Sequence, residues 1–334
     1  MRRLLLVGVV LALPTLIAAV GIVAYVILNT FERPGPLAEE TVVLVPPGTG
    51  LSGIAGHLEQ ADVIEDARIF EIVVRVEGTA RSLKAGEYSF PAAVSMRGAM
   101  ELLQSGRTVV RRITLPEGLT SHELVALLNA ADGLAGEIAT VPPEGALLPE
   151  TYHYSRDDRR DDILARMTEA RDRVLDELWA QRAEGLPIAT PEEAVVLASI
   201  VEKETGVAEE RPLVAGVFVN RLRKGMPLQS DPTVIYGITK GAAPLGRQLI
   251  RKDLKTPSPY NTYTIKGLPP GPIANPGRAA LAAVLNPAET EYLYFVADGS
   301  GGHAFARTLQ EHNRNVAKWR KIQRQQRQQR DGSG

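Results

Sequence analysis

The chain has 334 residues, 44% hydrophobic and 23% charged, which is enough to bury one large core or two smaller ones and too apolar for a disordered chain. A formal net charge of −1 gives no global basic field for nucleic acid, and the lack of cysteine removes disulfides, thiol nucleophiles and thiolate metal sites. Such a composition suits an oxidising envelope.

Residues 4–28 (LLLVGVVLALPTLIAAVGIVAYVIL) carry no charge and follow MRR. The run is long enough to span a bilayer; a cleaved signal peptide is the competing reading, although its apolar core is usually shorter and no clean A-x-A site closes this one. Arg2 and Arg3 before the span place residues 1–3 in the cytoplasm by the positive-inside rule, so everything beyond Asn29 is expected outside it.

After an expected linker over 29–40 containing ERPGP, residues 41–58 read TVVLVPPGTGLSGIAGHL: a β-branched run, a Pro-Pro-Gly turn and a helical pattern. Pro46 and Gly48 precede Ile54, Ala55 and Leu58. Seventy residues later, Pro116 and Gly118 precede Leu124, Val125 and Leu128 at the same offsets. Between the copies, 83–90 reads as a strand and 96–103 as a helix stopped by Gly106. Residues 41–130 are therefore expected as a small α+β region and 131–185 as a connecting segment. The latter holds an irregular loop, EGALLPETYHY, and an amphipathic helix over about 161–181.

A second domain is expected over 186–320. GLPIATPEE supplies a loop and then a helix start, with Thr190 as N-cap, Pro191 at the first helical position and Glu193 completing a capping box. The helix continues into LASIVEKETG. At about 100° per residue its apolar face centres near Leu197; Glu204 falls about 20° from that centre and Glu202 about 140° away. A buried carboxylate keeps its proton to higher pH, as a general acid requires. Glu202 reads as a flanking surface residue or a support for its neighbour. The plainer alternative for Glu204 is solvation beyond the buried turns, or pairing with an arginine such as Arg211.

The next helix, about 209–223, carries Val214, Val217, Phe218 and Leu222 on one side. Beyond it, LQSDPTVIYG (228–237) and SPYNTYTIKGLPPGPIANPG (258–277) read as long Pro/Gly/Asn loops. Tyr260 and Tyr263 could stack on sugar rings, and Gln229, Asp231 and Asn261 could hydrogen-bond them. Each also fits ordinary turn chemistry. YLYFVADGSGGHAFARTLQEHNRNVAKW closes the domain as a strand, a Gly-rich turn, a strand and a helix. His303 and His312 within it match no zinc spacing, and DGSGG lacks the lysine of a phosphate loop, so no metal or cofactor is expected. Residues 321–334 form a basic tail.

Taken together, LASIVEKETG, VFVNRLRKGMPLQSDPTVIYG, SPYNTYTIKGLPPGPIANPG and YLYFVADGSGGHAF resemble the endolytic murein transglycosylases, the MltG/YceG-like family; VPPGTG and EGALLPETYHY extend the likeness over most of the chain. The resemblance implies an α+β protein of the cytoplasmic (inner) membrane with a single transmembrane helix, a LysM-like peptidoglycan-binding region and a lysozyme-like lytic domain on the extracytoplasmic side. It maps the family's catalytic glutamate onto Glu204 and implies cleavage between N-acetylmuramic acid and N-acetylglucosamine to leave 1,6-anhydro ends, with termination of strand elongation as the outcome. Partners implied are glycan strands, the membrane, and synthases or division proteins; nucleic acid is not among them. Two alternatives stay open at this level: a hydrolytic muramidase with Asp231 as second carboxylate, and a non-catalytic peptidoglycan-binding scaffold.

Overall fold

A computed structural model describes residues 2–331. Met1 and residues 332–334, the outer ends of the expected cytoplasmic terminus and basic tail, lie outside the described residues. The protein is mixed α and β, and the chain divides into two compact units: residues 1–111 with 153–157, and residues 112–152 with 158–334.

In the first unit, α1 (Arg2–Glu32) is followed by β1 (Thr41–Val45), α2 (Leu51–Gln60), α3 (Ala67–Val76), β2 (Gly86–Phe90) and α4 (Met96–Ser105). The stretch Pro14–Glu32 of α1 is long and apolar enough to cross a membrane, and it is exposed over nearly its whole length. Its last turn is different. Phe31 is fully buried and meets Phe70 of α3 at 6.1 Å between ring centroids. Leu37 is also buried, and the Gly35 N–H donates to the carbonyl of Val94 at 3.2 Å. A Cβ on Gly35 would approach that carbonyl oxygen to 2.3 Å, which explains the glycine in ERPGP. The expected linker is thus packed into the core at two points.

β1 and β2 pair antiparallel, from Thr41 opposite Phe90 to Val45 opposite Gly86. Their inward residues Val45, Tyr88 and Phe90 join Leu58, Phe70 and Leu103 in one core. Helix α3 went unpredicted. Asp66 caps it by accepting from the N–H groups of Arg68 and Ile69, and Phe70, Val73 and Val74 recur at helical spacing on its buried face, although five of its ten residues are β-branched and favour a strand.

β3 (Arg111–Thr114) and β4 (Thr151–Tyr154) make a second two-stranded sheet. Helix α5 (Ser121–Ala130) has the length of α2 and buries Leu124, Val125 and Leu128 where α2 buries Ile54, Ala55 and Leu58. The 70-residue echo is thus a repeated strand, turn and helix, with Gly48 and Gly118 both left-handed at φ 80° and 76°. The copies do not share a unit, however: the division falls at 111/112, not after 130. Polar contacts tie α5 into the second unit. The Ser121 N–H donates to Glu144 at 2.9 Å, and the Ser121 hydroxyl accepts from the buried Asn275 amide at 3.1 Å. Asn275 also accepts from the Leu147 N–H at 3.1 Å and exchanges backbone bonds with Gly118 and Leu119.

The rest of the second unit runs through α6 (Arg160–Ala180), α7 (Pro191–Glu204), α8 (Arg211–Arg223), α9 (Asp231–Thr239), α10 (Arg251–Lys255), α11 (Arg278–Leu285), the antiparallel hairpin β5 (Tyr294–Ala297) and β6 (His303–Ala306), and α12 (Leu309–Asp331). Every residue of α7 from Ala194 to Val201 is buried, so this helix is the centre of the core, with α8 and α11 packed against it. Thr190 caps α7 by accepting from the Glu193 N–H at 3.2 Å, while the Glu193 carboxylate accepts from Ala189 instead of Thr190. The expected box is shifted by one residue. DPTVIYGIT forms α9, not a loop: proline in the first turn starts a helix as readily as it makes a turn.

Glu144 loses solvent in its network, and burial pushes its carboxyl from 4.5 up to about 7. Ionisation is thus harder in the folded protein than in the unfolded one. The group's stability contribution is complete below pH 4.5, falls as pH rises toward 7, and is constant above. Glu144→Gln should match the parent protein in thermal unfolding near pH 4.5 and exceed it at pH 8. Because the group is partly solvated, the gain should be about 2–4 °C, equivalent to about 1 kcal/mol.

Candidate active site

The C-terminal end of α7 presents two glutamates with different surroundings. Glu202 is not at the surface: its side chain is 5% exposed, accepts the Gly277 N–H at 2.9 Å and faces Arg211 at 3.5 Å. Burial raises its pKa, against the Gly277 hydrogen bond and the Arg211 charge. Glu117 closes the cluster, 3.5 Å from Arg211. A Cβ at Gly277 would fall 1.8 Å from the Glu117 carboxylate, so the last residue of GPIANPG must be glycine for this approach. Arg211, the alternative partner expected for Glu204, is engaged here. Lys203 turns to the Gly118 carbonyl at 3.0 Å.

Glu204 instead lines a cavity of about 520 Å³. Its Oε1 accepts the Ser230 hydroxyl at 2.5 Å. Loss of solvent raises its pKa, and nearby Asp231 pushes the same way; the Ser230 hydrogen bond, the Arg221 charge and, when protonated, His303 oppose them. Ser230 stands at the N-cap position of α9 yet does not cap it, because its hydroxyl is directed at Glu204.

Gln229, Asp231 and Tyr263, expected from the sequence, line the same cavity. Gln229 has φ 52°, an uncommon conformation for a non-glycine residue, stabilised by its N–H bond to Thr262 O at 3.1 Å. Asp231 accepts the Tyr263 hydroxyl at 2.6 Å, and burial, with that bond, raises the tyrosine pKa. Tyr260 and Asn261 lie elsewhere. Tyr260 packs against Tyr236 at 4.9 Å and under the Lys240 ammonium. Asn261 is 1% exposed; its amide donates to the carbonyls of Asp253, Leu254 and Thr256, and its Oδ1 accepts from the Tyr263 N–H. With its hydrogen-bonding groups committed, Asn261 shapes the loop and is withheld from a ligand.

Arg221, His303 and His312 complete the polar lining, none of them expected there from sequence. Arg221 is 7% exposed and pairs with no carboxylate among the described residues. Its guanidinium donates to Leu293 O at 2.6 Å and Leu228 O at 2.7 Å. His312 stacks on Tyr294 at 5.2 Å, and burial lowers its pKa. The cavity thus joins one protonation-prone carboxylate, a second carboxylate, a buried cation and two imidazoles. This set can move protons and bind hydroxyls.

Residues 43–318 match the YceG-like family. The chain belongs to that family. An endolytic murein transglycosylase of Bacillus subtilis (strain 168) is 31% identical over 307 residues, covering 82% of this chain and 83% of that protein. One from Streptococcus pneumoniae serotype 2 is 29% identical over 322 residues; the match takes in 82% of this chain but only 57% of that longer relative. A crystal structure of a yceG-like protein of Listeria monocytogenes aligns with a TM-score of 0.49 and 31% identity, covering 83% of this chain and 99% of that one.

Glu202→Ala would strand the Gly277 N–H and leave Arg211 short of a partner, so it should lower stability by about 2–3 kcal/mol. Glu202→Gln, which keeps an acceptor for Gly277, should recover at least half of that. Urea unfolding of both variants checks this.

Proposed function

We propose that this YceG-like protein is a membrane-anchored endolytic transglycosylase that cuts peptidoglycan strands, with Glu204 as its acid and base. The observation that carries the reading is the Glu204 carboxyl itself, held toward its protonated form by burial and opening on a cavity wide enough for saccharide. The names of the Bacillus and Streptococcus relatives support the same activity.

In this reading Glu204 protonates the glycosidic oxygen between N-acetylmuramic acid and N-acetylglucosamine. The resulting carboxylate regains a proton from the muramyl 6-hydroxyl, whose oxygen bonds to its own anomeric carbon, leaving a 1,6-anhydro end and consuming no water. One carboxylate then suffices where hydrolytic glycosidases use two. Ser230 steadies the carboxylate in the interval when it carries charge. Gln229, Asp231 and Tyr263 hold the sugar from the wall.

Helix α1 serves as the anchor, with Arg2 and Arg3 favouring a cytoplasmic N-terminus and extracytoplasmic catalysis. The strand-helix-helix-strand order of β1, α2, α3 and β2 supports a LysM-like, peptidoglycan-binding region, and the helical surround of α7 supports a lysozyme-like lytic domain. Cutting close to the membrane would act on newly made strands and so end their elongation, beside synthases or division proteins.

One observation favours a second reading: the Asp231 carboxylate shares the cavity, as a water-activating group of a hydrolytic muramidase would. Mass analysis of the ends made from purified glycan strands separates the two. Anhydro ends are expected, and reducing ends would favour hydrolysis. Glu204→Gln should lower cleavage by about 10²–10⁴-fold while glycan binding persists. Unchanged cleavage would remove Glu204 as the acid, and no cleavage by the parent protein would leave only a scaffold role.

A further inference from the structure

The Gly-rich hairpin turn DGSGGH has no part in the chemistry given so far, yet its last residue is held with unusual care. Glu210, in the short turn before α8, commits both carboxylate oxygens to residue 303. Oε1 accepts the His303 backbone N–H at 2.8 Å, and Oε2 meets the ring Nδ1 at 2.6 Å. Both side chains are only 16% exposed. The approach depends on Gly302, where a Cβ would lie 2.6 Å from Glu210 Oε1. On its other side the imidazole meets the Phe295 ring edge-on, at 5.3 Å and 88°.

A carboxylate on Nδ1 and an aromatic wall fix both the position and the tautomer of an imidazole. In the neutral ring, Nδ1–H donates to Glu210 and Nε2 is left as an acceptor. Nε2 has no hydrogen-bond partner among the described residues, and the ring lines the same cavity as Glu204. A clamp that served only to tie the hairpin down would need the backbone bond alone. The second carboxylate oxygen is spent on aiming the ring.

We propose that His303, aimed by Glu210, accepts the hydrogen bond of the muramyl 6-hydroxyl and thereby selects that hydroxyl over water as the nucleophile. This rests on the transglycosylase reading of Glu204 and adds the group that orients the attacking oxygen. The bond from the anomeric carbon to O6 forms as the bond to the leaving oxygen breaks. The leaving oxygen takes the Glu204 proton, the 6-hydroxyl proton moves onto Nε2, and from there it passes to the Glu204 carboxylate, restoring both groups. Glu210 is a positioning residue that acts through His303.

The test uses the full chain in detergent with purified glycan strands, and reads both the rate and the proportion of anhydro and reducing ends. His303→Ala should lower kcat at least about tenfold with little change in KM, and should yield a measurable share of reducing ends as water replaces the misplaced hydroxyl. Added imidazole should restore rate and anhydro ends. Glu210→Gln should move both readouts the same way by less. Should His303→Ala not fold, His303→Gln, which fills the space with an uncharged amide, is expected to show the same change in ends. Variants that make only anhydro ends, with no response to imidazole, would reduce the Glu210–His303 pair to a structural clasp. Reducing ends from the unaltered protein would instead overturn the transglycosylase reading itself, so the two failures are distinct.

Discussion

The site depends on a carboxylate held where water is scarce. Helix α7 is buried all round along most of its length, and Glu204 is its last residue. A carboxylate in that position loses hydration and faces the negative end of the helix dipole, and both effects disfavour its charge. Protein interiors accept such a group when it stays neutral or gains partners for its ionised form. Here the Ser230 hydroxyl, the Arg221 charge and, when it is protonated, His303 work against burial, and Asp231 works with it. The balance suits a group that must give a proton and then take one back.

Glu202 shows why burial alone does not identify such a residue. Its side chain is almost inaccessible and its pKa is also raised, yet it looks onto a backbone N–H and an arginine where no ligand can enter. The two carboxylates share a helix end and a direction of shift; they differ in what they face. One braces the loop that carries Asn275 and Gly277, and the other opens on the cavity. The small residues around them follow from this crowding, since Gly277 and Gly302 each let a glutamate come within contact of the backbone.

Much of the second unit was legible because its helices carry strong signals: the Thr190 cap, the apolar arc of α7, and the apolar side of α8. Glu204 stood out as the carboxylate on an apolar arc, and the motif around it pointed the same way. Its partners could not be read along the chain. Ser230 is 26 residues away in a stretch that read as a loop; Glu210 and His303 are 93 residues apart. The wheel placed Glu202 on the far side of the helix, but in a helix enclosed on every side the far side is also buried. Tyr260 and Asn261 looked equal to Tyr263 as wall residues because turn chemistry and ligand chemistry use the same side chains. Around ERPGP, proline and glycine read as a linker although Phe31 and Leu37 bury it.

The central claim, that burial shifts Glu204 toward its protonated form far enough for it to give the first proton, is open to direct measurement. Infrared difference spectroscopy between the parent protein and Glu204→Gln at pH 7 reports the carbonyl stretch of a single protonated carboxylic acid, separated from Glu144 and Glu202, which both proteins share. Loss of that band in the variant is the predicted result. Loss of carboxylate bands in its place would show that Glu204 is ionised at rest and would contradict the proposal that it is the acid.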